Sequence, residues 1–227
     1  MEKVVVLSLG GSLIIPDEVN YKFLREFKEI LLKIKDYKFV VVCGGGSIAR
    51  KYIGALSNET QNHKLLSMAG IGATRMNARF MSYFFGIDPD KGIPHDMKQV
   101  KNLLLKNRLI FCGALRYAPN ETSDGTAAKL ANFLNCDFIN LTNVNGLYTD
   151  NPLTNNNAKF IPEISWKNFN ERTNKMKFKP GQHFVLDQHA AEVIMKSRIK
   201  TYIIGPNMKN LENILRNKPF KGTTIEG

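Results

Sequence analysis

The sequence predicts an α/β fold: a mostly parallel β-sheet with helices on both faces. Three observations predict it. Short β-branched runs alternate with segments whose apolar residues recur at helical spacing, the βαβα order of a parallel sheet. Two of those runs end in glycine, at Gly10-Gly11-Ser12 and Gly44-Gly45-Gly46-Ser47, and ligands in such sheets sit beyond the carboxyl ends of the strands. A chain of 227 residues with 43% hydrophobic content is long enough for one sizeable core.

The elements follow in order. "KVVVLSLG" (3–10) is a buried strand, and "YKFLREFKEILLKIK" (21–35) is a helix with Phe23, Leu24, Phe27, Ile30, Leu31 and Ile34 on one face. "KFVVVCG" (38–44) is a second strand. Helical patterns run through "SIARKYIGAL" and "HKLLSMAGIGATRMNARFMSYFF". Pro89 and Pro94 bracket a loop before a helix over 96–107, with Asp96 as its N-cap. "LIFCG" (109–113) is a third strand, 123–135 a capped helix and "DFINLT" (137–142) a fourth strand. "NVNGLYTDNP" (143–152) is turn-rich and reads as the start of a hairpin. A helix over 186–198, a strand over 200–205, a helix over 208–217 and a short closing strand complete the chain, with no internal repeat.

Composition excludes several classes. No apolar run approaches about 18 residues, so no membrane-spanning helix is expected. "MEKVVVLSLGGSL" lacks the layout of a signal peptide. Cys43, Cys112 and Cys136 are odd in number and without CxxC spacing, so they read as small buried residues in a reducing cytoplasm, with no metal site and no thiol nucleophile. The net charge of +12 favours anionic partners. No zinc-finger spacing, RNP-like run or basic zipper accompanies it, so nucleic acid is not the expected partner. The densest basic stretch, "WKNFNERTNKMKFKP" (166–180), reads as a solvated surface segment.

The glycine corners carry the chemistry. Glycine lets backbone N–H groups approach a phosphate, and the following helix adds its positive end. Arg50, one turn into the helix after the triplet, offers a planar fork of donors. A ligand-free tight turn is the competing reading; the triplet, the Arg and the second glycine turn together favour anion binding. Neither corner has P-loop or GxGxxG spacing. In "GALRYAPNETSDGTAA" (113–128), Thr122 and Ser123 place hydroxyls at a helix start. Asp124 there either holds a cation or orients a lysine, or simply favours the helix dipole.

Seven stretches in order, "GGS", "GGGSIARKYI", "GIGATRMNA", "TSDGTAA", "TNVNGLYTDNP", "VLDQHAAEVI" and "GTTIE", resemble the amino acid kinase superfamily and, within it, the archaeal-type UMP kinases. The resemblance covers nearly the whole chain. It implies a three-layer αβα sandwich forming a single domain over 1–227, with an acceptor-binding lobe (1–136) and an ATP-binding lobe (137–227). It implies transfer of the γ-phosphoryl of Mg-ATP to UMP, with ATP and Mg2+ as the requirements, in a cytoplasmic hexamer built from dimers.

Carried onto matching positions, the resemblance puts Gly11, Ser12, Gly45 and Gly46 along the transferring phosphate and Arg50 between donor and acceptor. Asp124 and Asp187 would organise the reacting centre, although Asp187 is equally placed to N-cap the helix that follows. Thr142, Asn143, Tyr148 and Asn151 would contact ATP. Ser67 would face the UMP nucleoside, and Arg116, Tyr117, Ala118, Pro119, Asn120, Glu121, Thr122 and Ser123 would form the acceptor loop.

The chain departs from the family pattern at four places. Ser8 stands where many members carry Lys, Ser67 where an acidic residue holds the ribose, and Asn145 and Asn151 where Asp is expected. Two alternatives follow: a kinase for another small phosphate or carboxylate acceptor, or a non-catalytic nucleotide-binding regulator of the same fold. Isopentenyl phosphate kinases carry a catalytic His near the first glycine turns, and none of His63, His95, His183 or His189 lies there.

Overall fold

The structure is a computed structural model that describes residues 2–89, 92–118, 122–152, 154–175 and 185–227. The elements in chain order are β1 (Lys3–Leu9), α1 (Gly11–Ile14), α2 (Tyr21–Lys33), β2 (Tyr37–Cys43), α3 (Gly46–Leu56), α4 (His63–Phe84), α5 (Met97–Lys106), β3 (Leu109–Cys112), α6 (Ser123–Leu134), β4 (Asp137–Leu141), β5 (Leu147–Tyr148), β6 (Phe160–Ile161), β7 (Glu163–Ile164), α7 (Trp166–Lys175), α8 (Gln188–Ser197), β8 (Thr201–Ile204), α9 (Met208–Leu215) and β9 (Thr223–Ile225). Every strand and helix expected from periodicity is present within a residue or two of its expected ends.

The main sheet runs β3-β2-β1-β4-β8-β9-β7. The five strands from β3 to β8 are parallel, β9 is antiparallel to β8, and β7 is parallel to β9. From β1 the chain steps to β2 and then β3 on one side, and returns past β1 to β4 on the other. Right-handed crossovers in opposite directions place helices on opposite faces. The helix contacts agree, with α2 against α9 and α6 against α8. The reversal falls between β1 and β4, and at such a switch point the loops diverge and leave a crevice.

The core explains the helical spacing. Leu24, Phe27 and Leu31 of α2 and Val40, Val41 and Val42 of β2 have no exposed surface, each large side chain contributing about 1.5–3 kcal/mol on burial. Caps fall where the sequence puts them. Asp96 accepts from Gln99 N at 2.9 Å and Thr122 from Gly125 N at 3.1 Å.

One expectation is refined. Within the basic 166–180 stretch, residues 166–175 form α7, a surface helix with its charged residues Lys167, Glu171 and Lys175 exposed and one side anchored. Phe169 and Thr173 are buried, and Trp166 Nε1 donates to Ile199 O at 2.9 Å. These residues recur at helical spacing among the charges, and α8 supplies the apolar surface that buries them. Residues 176–180 lie outside the described residues.

Candidate active site

The glycine corners meet at the carboxyl edge of the parallel strands. A Cβ on Gly11 would lie 2.0 Å from Gly46 N, and one on Gly44 would lie 2.4 Å from Gly11 N. Only glycine permits that approach. Gly46 also has φ +61, and a Cβ there would meet Gly11 O at 2.5 Å. The contact locks the end of β1 to the end of β2. Gly44 N donates to Leu9 O at 2.9 Å, and Ser47 N to Ile15 O at 3.0 Å. Among the described residues, the N–H groups of Gly11, Ser12, Gly45 and Gly46 have no acceptor. Unpaired amides at adjoining helix starts form an anion-binding surface.

Arg50 is exposed on α3, its Nη2 donating to Pro16 O at 3.1 Å. That bond holds it beside the loop leaving the first corner. Asn77, buried on α4, donates to Gly44 O at 2.7 Å and braces the second corner from behind. Thr74 accepts from Ala114 N at 2.9 Å, and Arg75 donates to the carbonyls of Ala114 and Leu115, fixing the exit of β3 into the loop that follows it. "GIGATRMNA" thus supplies the scaffold of the site. The readable signal was a pair of polar residues, Thr74 and Asn77, on a helix face that must be buried, where each needs a partner.

Two carboxylates face this edge. Asp124, in the first turn of α6, accepts from Ser8 Oγ of β1 at 2.6 Å. Asp124 keeps some exposed surface. Desolvation of its carboxyl, and second the negative charge of Asp187, push its pKa up to about 7, while the Ser8 bond pulls it down. Asp187 does cap α8, its Oδ1 accepting from Ala190 N at 2.9 Å, and its Oδ2 accepts from Thr122 Oγ1. Thr122 therefore joins the starts of α6 and α8, a link that sequence reading did not find.

Around the loop that follows β3, Lys64 Nζ lies over the Tyr117 ring, 5.9 Å from its centroid. This brings the start of α4, where Ser67 is exposed, towards the loop. Arg116 is exposed and paired with Asp96 at 3.2 Å, and with Ala118 it lines a hollow of ≈ 430 Å³. Pro119, Asn120 and Glu121 lie outside the described residues, and Ser123 is half-buried at the start of α6.

On the other side of the switch point, Thr142 N donates to Ile204 O at 2.9 Å, and Thr142 Oγ1 to Asn143 Oδ1 at 3.4 Å. Tyr148 is half-buried in β5, edge-on to Phe160 at 5.3 Å. Asn151 N donates to Asp150 Oδ1 at 2.7 Å, so the adjacent carboxylate organises this turn.

The chain belongs to the amino acid kinase family, whose model matches residues 3–205. It is similar to the uridylate kinase of Thermococcus sibiricus, with 33% identity over 98% of this chain and 99% of the relative, and to that of Pyrococcus abyssi, with 32% identity over the same shares. Among solved structures it superposes on the uridylate kinase of Archaeoglobus fulgidus with a TM-score of 0.83 at 33% identity, covering 97% of this chain and 99% of that one. The UMP kinase of Ureaplasma parvum, at 20% identity and a TM-score of 0.80, shares the fold. No described helix is long and apolar enough to cross a membrane.

Proposed function

We propose that this chain is a UMP kinase, transferring the γ-phosphoryl of ATP to UMP to give UDP and ADP. The observation that carries the reading is the contact of Gly11 with Gly46, which gathers at the switch point four N–H groups that have no acceptor among the described residues. Phosphoryl transfer demands little covalent chemistry and much positioning of charge. The UMP phosphate, a dianion above about pH 6, is itself the nucleophile and needs no general base. The amides of Gly11, Ser12, Gly45 and Gly46 hold the oxygens of the transferring group, and Arg50 offsets charge between donor and acceptor.

Residues 1–136 form the acceptor side, with Ser67 and the 116–123 loop around UMP. Residues 137–227 form the donor side, with Thr142, Asn143, Tyr148 and Asn151 around ATP. Asp124 and Asp187 organise the centre between them. No cluster of three metal-ligating side chains exists among the described residues. Mg2+ binds through nucleotide phosphates and one or two carboxylates, and Asp124 and Asp187 are the carboxylates that would support it. Bound there, the ion would neutralise phosphate charge. The cytoplasmic setting and the hexameric assembly belong to the same proposal.

The test is a coupled ADP-release assay with a panel of nucleoside monophosphates and small phosphate acceptors. UMP is expected to give the highest kcat/KM, and Arg50→Ala to lower it on the order of 100-fold without changing Tm. Preference for another acceptor would overturn the substrate. Nucleotide binding without turnover would make the chain a regulator.

A further inference from the structure

Arg172 belongs to none of the groups placed around the reaction, yet it holds the strand that presents Tyr148. Its Nη2 donates to Tyr148 O at 3.1 Å and to Thr149 O at 2.5 Å. One nitrogen bridging two successive carbonyls fixes the peptide plane between them. β5 needs such a brace. It is two residues long, its sheet partner β6 is equally short, and a two-stranded ribbon is marginal on its own. The opposite flank is held by Thr223, whose Oγ1 accepts from Leu147 N at 2.8 Å and donates to Ile161 O at 2.5 Å.

The brace rests on something rigid. α7 is anchored by buried Phe169 and packs along α8. Gln188 Nε2, on the residue after Asp187, donates to Thr173 O at 3.2 Å, one residue from Arg172. A continuous path therefore runs from Thr122 and Asp187 through Gln188, Thr173 and Arg172 to Tyr148. The Arg172 Nε is buried, with no hydrogen-bond partner among the described residues.

We infer that Arg172 is a positioning residue for the donor nucleotide, holding the main chain at Tyr148 and Thr149 so that the Tyr148 ring keeps its place against ATP. The inference rests on the proposed donor side at Tyr148. Arg172→Ala, Arg172→Lys and Tyr148→Ala are compared with the unaltered full chain in steady-state kinetics against ATP and UMP, with Tm measured alongside. Arg172→Ala is expected to raise KM for ATP about fivefold or more, leaving KM for UMP and kcat within about twofold. Arg172→Lys, which keeps a charged donor, is expected to recover part of that loss and covers the case in which the Ala variant does not fold. If Tyr148→Ala raises KM for ATP and neither Arg172 variant does, the role of Arg172 is overturned and the donor side stands. If no variant moves KM for ATP, both are overturned. A fall in Tm with both KM values unchanged makes Arg172 a structural tie only.

Discussion

Ser8 and Asp124, 116 positions apart, are joined by a 2.6 Å hydrogen bond across the switch point. Ser8 is 1% exposed at the inner end of β1, where many amino acid kinases carry lysine. A lysine there would pair with the carboxylate as a full charge. The serine hydroxyl instead favours the ionised form by a single neutral donor. The balance leaves Asp124 titrating at about 7.

Ser8→Ala removes the one interaction that lowers the Asp124 pKa. If the ionised carboxylate is the working form, kcat/KM of the unaltered enzyme falls as pH drops through about 7. In Ser8→Ala that acid limb is expected to move to higher pH. A pH profile of kcat/KM for both proteins checks it. UMP ionisation is common to both, so any displacement belongs to the enzyme.

Asp124→Asn separates stability from activity. The folded pKa of Asp124 lies above its unfolded value, so the unfolded state loses its proton first as pH rises. Between the ordinary carboxylate value of 3.8 and about 7 this group therefore makes stability fall with rising pH, and the whole cost is present above about 7. The neutral amide escapes that cost. The nucleotide-free variant is expected to melt about 2–6 °C higher at pH 8, with the gain shrinking towards pH 4, while kcat drops on the order of 100-fold. Calorimetry at the two pH values, with turnover, is the check.

Gly46→Ala introduces a Cβ 2.5 Å from Gly11 O and 2.7 Å from Ile15 O, at a positive φ. Both effects oppose folding, and a loss of roughly 2–4 kcal/mol is expected. Activity is expected to vanish even where the variant remains folded, because the two corners cannot close. Urea denaturation and turnover at low temperature test the two effects separately.

Asp187→Ala and Asp187→Asn divide the two roles of that residue. Alanine removes the cap of α8 and is expected to cost about 1 kcal/mol. Asparagine keeps an acceptor for Ala190 N and removes the charge, so it is expected to spare Tm and depress kcat. Equal Tm losses in both would make the carboxylate charge itself structural.

Local pattern made most of the fold legible. The apolar face of α2 and the unbroken runs of β1 and β2 are set by neighbours three, four or two positions away, and burial rewards that spacing in any compact chain. The glycine corners were legible for a similar reason, since a triplet at a strand end has few other uses. The surface character of the 166–175 stretch was legible but its helix was not, because charges dominate its composition while its anchors, Trp166, Phe169 and Thr173, are few.

The sequence by itself determined the order of elements, the two glycine corners, the caps at Asp96 and Thr122, and membership of a phosphate-handling family. Those signals are encoded within a few residues of one another. Only the tertiary structure decided that Ser8 serves Asp124, that Thr122 reaches Asp187, that Asn77 braces Gly44 and that Arg172 holds Tyr148. Each of these is a hydrogen bond between residues 24 to 116 positions apart. Such bonds depend on directions set by sheet order and crossover hand, which no local spacing records.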